Sequence, residues 1–149
     1  MVIIIKLRPS VVLVNGDTVL LMRYLYGEVT VWGIPGGGVA DGESLIDVLK
    51  RELDEELGVA IDVGRLLCVV ETPAAGKVKH TLHCVFLGTV VGGMPTVNPE
   101  HTSALAAEWV RVEDIDDIVL YPPVNDVVKQ SIGGVIEARY LGIRARLWF

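Results

Sequence analysis

The segment from Trp32 to Gly58 constrains this chain more than any other, because it joins a stretch that cannot be helical to one with a strong helical pattern. Trp32-Gly33-Ile34-Pro35-Gly36-Gly37-Gly38 combines four glycines with a proline. Glycine loses too much freedom in a helix and proline lacks the amide donor, so the run predicts a loop whose small residues let another group approach the backbone closely. Over Ser44 to Leu57, by contrast, Leu45, Ile46, Leu49, Leu53 and Leu57 recur at helical spacing. Ser44 or Asp41 can cap the start, and Gly58 supplies the stop. The expectation is a backbone-exposing loop that feeds an amphipathic helix, and a helix with one apolar stripe needs a sheet or another helix to cover it.

The rest of the chain predicts that sheet. Two β-rich runs between Arg8 and Tyr24 flank Asn15-Gly16-Asp17, a turn signal for a hairpin. Val59 to Val70 and Leu82 to Val91 are rich in β-branched residues and are separated by a polar stretch, and Ala106 to Val112 reads as a further short strand. Glu113 to Ile118 suits a helical turn. After Pro122-Pro123 a helical pattern resumes from Val124 to Ala138. The order predicts an α/β (α+β) fold, a mixed β-sheet covered by helices, in a single domain spanning 1–149.

Composition narrows the function classes. With 51% hydrophobic residues the chain can bury a large core, and the apolar amino terminus reads as a strand rather than a membrane segment because Lys6, Arg8 and Pro9 interrupt it. Its formal charge of -6, with 19 acidic against 13 basic residues, disfavours polymeric nucleic acid as a partner. Cys68 and Cys84 are too few for a disulfide framework and read as free thiols of a reducing cytoplasm. No membrane partner is expected, and a homodimer is allowed.

The chemistry is concentrated in Arg51-Glu52-Leu53-Asp54-Glu55-Glu56. At about 100° per residue, Glu52, Glu55 and Glu56 share one arc of the helix beside the leucine face, while Asp47, Lys50 and Asp54 point elsewhere. Like charges at these spacings repel, so the cluster calls for a cation. Oxygen donors without His or Cys nearby in sequence suit Mg²⁺ or Mn²⁺. A solvated acidic face, with Arg51 paired to Glu55, is the ordinary explanation of such a helix; the adjoining glycine loop favours the metal and a phosphate instead.

These residues resemble a known family. Gly37, five residues, Glu43, seven residues, Arg51-Glu52-Leu53, one residue, Glu55-Glu56, one residue, Gly58-Val59 is similar to a complete Nudix box, and Trp32 to Gly37 resembles the family's usual lead-in. The resemblance implies an α/β/α sandwich around a mixed sheet. It also implies hydrolysis of a nucleoside diphosphate linked to another group X, a nucleotide-type small molecule such as a nucleoside triphosphate or ADP-ribose, usually with Mg²⁺ or Mn²⁺. By position, Glu52, Glu55 and Glu56 would bind the metal, with Glu55 or Glu56 also orienting or deprotonating water. Arg51 would direct the carboxylates, Glu43 would hold the loop and helix together or touch a metal, and Gly37 would present its carbonyl to a cation. Outside the box, Glu108 resembles an extra metal-binding glutamate that some relatives place before a strand tryptophan. Tyr24, Tyr26 and Trp32 could stack a nucleobase. Glu71 could approach the site, whereas His80 and His83 would face opposite sides of a strand and share no metal. The competing expectation is a non-catalytic Nudix-fold module that binds a nucleotide or a protein.

Overall fold

In a computed structural model, residues 2–134 and 137–146 are described. Strands β1 (Lys6–Asn15), β2 (Thr18–Tyr26) and β3 (Val29–Gly33) precede helix α1 (Leu45–Leu57). The chain continues through β4 (Ala60–Thr72), β5 (Thr81–Gly92), β6 (Ala106–Arg111), a 3-10 turn (Val112–Asp117), β7 (Leu120–Tyr121), α2 (Asn125–Gly133) and β8 (Arg139–Ile143). They build one mixed 8-stranded sheet in the order β7-β3-β2-β1-β5-β4-β8, with β6 added to β2. β1 runs parallel to β5, β3 to β7 and β4 to β8, and the remaining pairs are antiparallel.

Period-two alternation along β1 and β2 sends neighbouring residues to opposite faces, and each face is covered by one helix. Val11, Leu13, Leu20 and Met22 pack with Leu49, Leu53 and Leu57 of α1. Val12, Val19 and Leu21 pack with Val127 and Val128 of α2 on the other side. The expected α/β/α layering is therefore present, with the acidic helix packed against β1 and β4.

Three boundaries differ from the sequence expectation. The helical pattern that begins at Val124 stops at Gly133 instead of continuing to Ala138, and the chain re-enters the sheet as β8, where Arg139 and Tyr140 pair with Cys68 and Val69. Consecutive Gly133 and Gly134 make that helix costly to extend; Val135 and Ile136 lie outside the described residues. β3 is a separate strand, paired through Tyr24↔Val31 and Met22↔Gly33. The amino-terminal apolar run enters the sheet only at Lys6, and Val2 to Ile5 are exposed. Cys68 and Cys84 are both free. Among the described residues no helix is long and apolar enough to cross a membrane.

His83 of β5 is completely buried and its Nε2 lies 3.0 Å from Thr72 Oγ1. Desolvation, followed by the cations Arg8, Arg146 and Lys6, pushes its pKa down to about 3. An unfolded histidine binds its proton near pH 6.5, so between these values the unfolded chain holds more protons and stability rises with pH. Unfolding free energy from urea titrations should therefore fall as pH drops below 6.5, with this one group contributing up to about 1.4 kcal/mol per pH unit. His83→Gln should flatten the slope between pH 6.5 and 5; equal slopes in the two proteins would refute the assignment.

Candidate active site

The loop and helix are locked together by local chemistry. Ser44 caps α1, its Oγ accepting the Asp47 amide at 3.1 Å, and Gly58 ends it in the left-handed region at φ 66° with its amide donated to Asp54 O. Burial of Val48, Leu49, Leu53 and Leu57 orients the helix and leaves Glu52, Glu55 and Glu56 half-buried along its margin. The 94–102 segment grips the same helix end, with Thr96 N donating to Leu57 O at 3.0 Å and Asn98 N to Glu56 O at 2.9 Å. In front of the helix the glycine loop lies on β1. Gly37 N donates to Pro9 O at 3.2 Å, and a Cβ on Gly36 would stand only 2.2 Å from that same oxygen. A Cβ on Gly37 would instead stand 2.3 Å from Glu52 Cδ, so the missing side chain is the room that Glu52 occupies.

Arg51 organises the acids around it. Its Nε and Nη2 donate to the two oxygens of Glu43, each at 2.8 Å, and Nη1 donates to Glu52 at 3.0 Å and to Glu55 at 3.3 Å. Nη2 also reaches Gly38 O at 3.3 Å, while Glu43 Oε1 accepts the Ala40 amide at 3.1 Å. Hydrogen bonding to Arg51 holds the Glu43 carboxyl below the usual range, and Glu43 in turn raises the guanidinium pKa further. Glu43 thus ties the loop to the helix through Arg51. A lysine has no planar fork with which to hold three carboxylates and a carbonyl. Arg51→Lys should lower kcat by at least about tenfold with little change in KM, because the damage falls on the direction of the carboxylates that Arg51 holds. A raised KM at unchanged kcat would make Arg51 a substrate contact instead.

Glu56 stands outside this network. Burial pushes its pKa up to about 7, the neighbouring Glu52 and Glu55 carboxylates push the same way, and only Arg8 opposes them. As the side chains stand, no three His, Cys, Asp or Glu residues among those described converge as a ready-made metal centre. Arg51 is bonded among the carboxylates. The donor set nevertheless fits a hard divalent cation: Glu52 and Glu56 repel one another, and Gly37 abuts Glu52 from the loop.

Among β1, β2, β3 and β7 a pocket of about 240 Å³ opens, lined chiefly by Lys6, Arg8, Tyr24, Tyr26, Tyr121 and Arg146. Tyr24 is half-buried in it, stacked on Tyr26 at 6.1 Å, and burial raises its phenol pKa while a bond to Thr102 lowers it. Trp32 is not there. Its strand neighbours Val31 and Gly33 line the pocket, so alternation turns the indole to the opposite face, where it packs against the cluster beneath α2. It is half-buried against that core. Glu108 is likewise turned away from the box: it pairs with Leu21, a member of the α2-side core, whereas the residues facing α1 from β2 are Leu20 and Met22. Glu108→Gln should keep kcat within about twofold of the parent, and a loss beyond about tenfold would return Glu108 to the site.

Glu71 accepts from His80 Nε2 at 2.7 Å and from the Tyr140 hydroxyl, an arrangement that fastens β8 to the sheet and is distinct from the helix carboxylates. Arg8, Tyr121 and Arg146 are the site residues that sequence reasoning did not single out. Arg8 had one usable signal, a charge inside an otherwise apolar strand. Tyr121 and Arg146 had none, since only the folded sheet brings them to Arg8.

A sandwich whose glycine loop leads into an arginine-organised carboxylate helix packed on the sheet defines an α/β/α protein of the loop-helix-loop type. The NUDIX domain profile matches residues 6–130, and the chain belongs to that family. The crystal structure of a MutT NUDIX hydrolase from Burkholderia pseudomallei superposes with a TM-score of 0.71 at 28% identity, covering 85% of this chain and 98% of that one. An NAD-capped RNA hydrolase of Vibrio atlanticus is 25% identical over 123 residues, 83% of this chain and 42% of that protein. An 8-oxo-dGDP phosphatase of Mus musculus is 29% identical over 102 residues, 67% of this chain and 30% of its own length. Across the curated relatives that it matches, the chain spans 21% to 62% of their length.

Proposed function

We propose that this chain hydrolyses the diphosphate linkage of a nucleoside diphosphate joined to a further group X, as a nucleotide pyrophosphohydrolase that uses Mg²⁺ or Mn²⁺. The observation that carries the reading is the arrangement at α1: Arg51 neutralises Glu43, Glu52 and Glu55 unequally and leaves the half-buried Glu56 with a surplus of negative neighbours. Glu52 and Glu56 would hold the cation, with Glu55 and the Gly37 carbonyl beside them. Bound there, the cation would offset charge on the diphosphate and make water more acidic. Glu55 or Glu56 would accept the proton from the attacking water at a carboxylate oxygen, and Arg51 and Glu43 would keep those oxygens in place. The free thiols of Cys68 and Cys84 support a reducing, cytoplasmic setting, and a single sheet built from Lys6 to Ile143 supports one domain. The test is a panel of nucleoside triphosphates, ADP-ribose, sugar nucleotides and dinucleotides incubated with Mg²⁺, with and without chelator. Release of phosphate, pyrophosphate or a nucleoside monophosphate that chelator abolishes is the expected result. Tight nucleotide binding with no turnover of any compound would make the chain a binding module.

A further inference from the structure

Helix α1 ends on Asp54-Glu55-Glu56-Leu57, so three of its last four residues are acids and none is basic. That is the wrong end of a helix for carboxylates. The carbonyls left without intrahelical partners there already carry partial negative charge, which opposes acids placed beside them. Helix ends fray, and fraying of this one would move Glu55 and Glu56. Arg51 holds Glu43, Glu52 and Glu55 but does not reach Glu56, so the direction of that carboxylate depends on the backbone that carries it.

The chain between β5 and β6 meets that backbone. Gly58 N and Val59 N satisfy Asp54 O and Leu53 O at 2.9 and 3.4 Å, and the carbonyls of Leu57 and Glu56 are met by the amides of Thr96 and Asn98. Pro95 and Pro99 bracket those two amides and fix a backbone angle on either side of them. Asn98 opens a turn of the kind that asparagine followed by proline favours. Its carbonyl accepts His101 N at 3.0 Å and Thr102 N at 3.1 Å, while its Oδ1 accepts Glu100 N at 3.1 Å. The flanks are anchored too. A Cβ on Gly93 would stand 2.5 Å from Gly58 O, Val97 and Ala104 pack into the cluster of Leu53 and Leu57, and Leu105 N donates to Arg23 O at 2.7 Å. Long connections without helix or strand are ordinarily mobile, whereas this one is pinned at both ends and in the middle.

We propose that Asn98 is a positioning residue for the cation site: its amide, aimed by the turn that its side chain closes, fixes the last turn of α1 and thereby the direction of the Glu56 carboxylate. The inference rests on the hydrolase reading above and gives the β5–β6 connection the task for Glu56 that Arg51 performs for Glu52 and Glu55.

Asn98→Ala removes the acceptor for Glu100 N and leaves the backbone intact. It should lower kcat by about tenfold and raise the Mg²⁺ concentration for half-maximal rate by a similar factor, with substrate KM at saturating Mg²⁺ within about twofold of the parent. Asn98→Ser, whose hydroxyl closes such a turn more weakly, should fall between the two. A merely structural role would reduce the amount of active protein and leave the Mg²⁺ half-saturation unchanged. That result, or a serine variant no better than alanine, would overturn the proposal while the hydrolase reading stands. Should Asn98→Ala fail to fold, Asn98→Ser decides alone: half-saturation raised by about twofold or more sustains the proposal, and the parent value refutes it. If the parent turns over no compound, the hydrolase reading fails by itself, and Mn²⁺ binding followed by electron paramagnetic resonance decides the role of Asn98. Weaker binding in Asn98→Ala with recovery in Asn98→Ser sustains it; equal affinities, or no Mn²⁺ binding by the parent, refute it.

Discussion

Glu56→Gln and Glu52→Gln should each lower kcat by about a thousandfold or more while leaving the fold in place. Glutamine keeps the volume of glutamate and removes only its charge. At position 56 that charge sits among like charges, since Glu52 and Glu55 and the surrounding burial all disfavour it. Its removal therefore relieves the metal-free protein, by a few tenths of a kcal/mol per repelling pair, even as it takes away a donor for the cation. Activity and stability should consequently move in opposite directions, the pattern expected where a site retains a costly group for its chemistry. Thermal melts make this visible: in chelator Glu56→Gln should melt at or above the parent temperature, and added Mg²⁺ should raise the parent melting point but not the variant's. Glu52→Gln differs because Glu52 also accepts from Arg51 at 3.0 Å, so that variant should lose a little stability in addition to turnover. Turnover within about tenfold of the parent in both variants, or parent activity that survives excess chelator, would remove these carboxylates from the proposed mechanism.

The parts of this site legible in the sequence were those set by local spacing. Helical geometry alone puts Glu52, Glu55 and Glu56 on one arc and Arg51 one turn from Glu55, and Ser44 and Gly58 mark the helix ends by their capping chemistry. The bond from Arg51 to Glu43 crosses from helix to loop; it was available only through the resemblance of the whole motif. Strand parity explains the two misplacements. Trp32 and Glu108 lie on strands next to site-facing residues, and a shift of one residue sends a side chain through the sheet to the other face. The sequence predicted the strand of Glu108 without its register and placed Trp32 in a loop. The cationic pocket was harder still, because Arg8, Tyr121 and Arg146 are contributed by segments that become neighbours only through the sheet order. At the carboxyl end, Val124 onwards has a helical pattern, but paired glycines shorten it and Tyr140 finds a partner in Glu71 on β4.

Gly36→Ala and Gly37→Ala should fail in opposite ways although the two glycines are adjacent. Neither has a positive φ, so alanine is allowed at both by backbone conformation and the outcome is decided by what its methyl meets. At Gly36 the obstacle is backbone: Pro9 O at 2.2 Å and Ser10 Cα at 2.8 Å, in the strand on which the loop rests. Strand β1 is held in register by β5 over Lys6 to Leu13, so it cannot withdraw without disturbing the sheet. Gly36→Ala should cost about 2–4 kcal/mol of stability and lower the yield of folded protein. At Gly37 the obstacles are Glu52 Cδ, Cγ and Oε1, the far end of a flexible side chain that can swing aside. Gly37→Ala should therefore melt within a few degrees of the parent, about 1 kcal/mol or less, yet lose about a hundredfold in kcat because Glu52 no longer points where the cation requires it. If the methyl acts only through that carboxylate, adding Gly37→Ala to Glu52→Gln should cost little further activity, a non-additivity expected of two residues serving one contact. Independent losses that multiply in the double variant would mean that Gly37 contributes separately, through its own carbonyl.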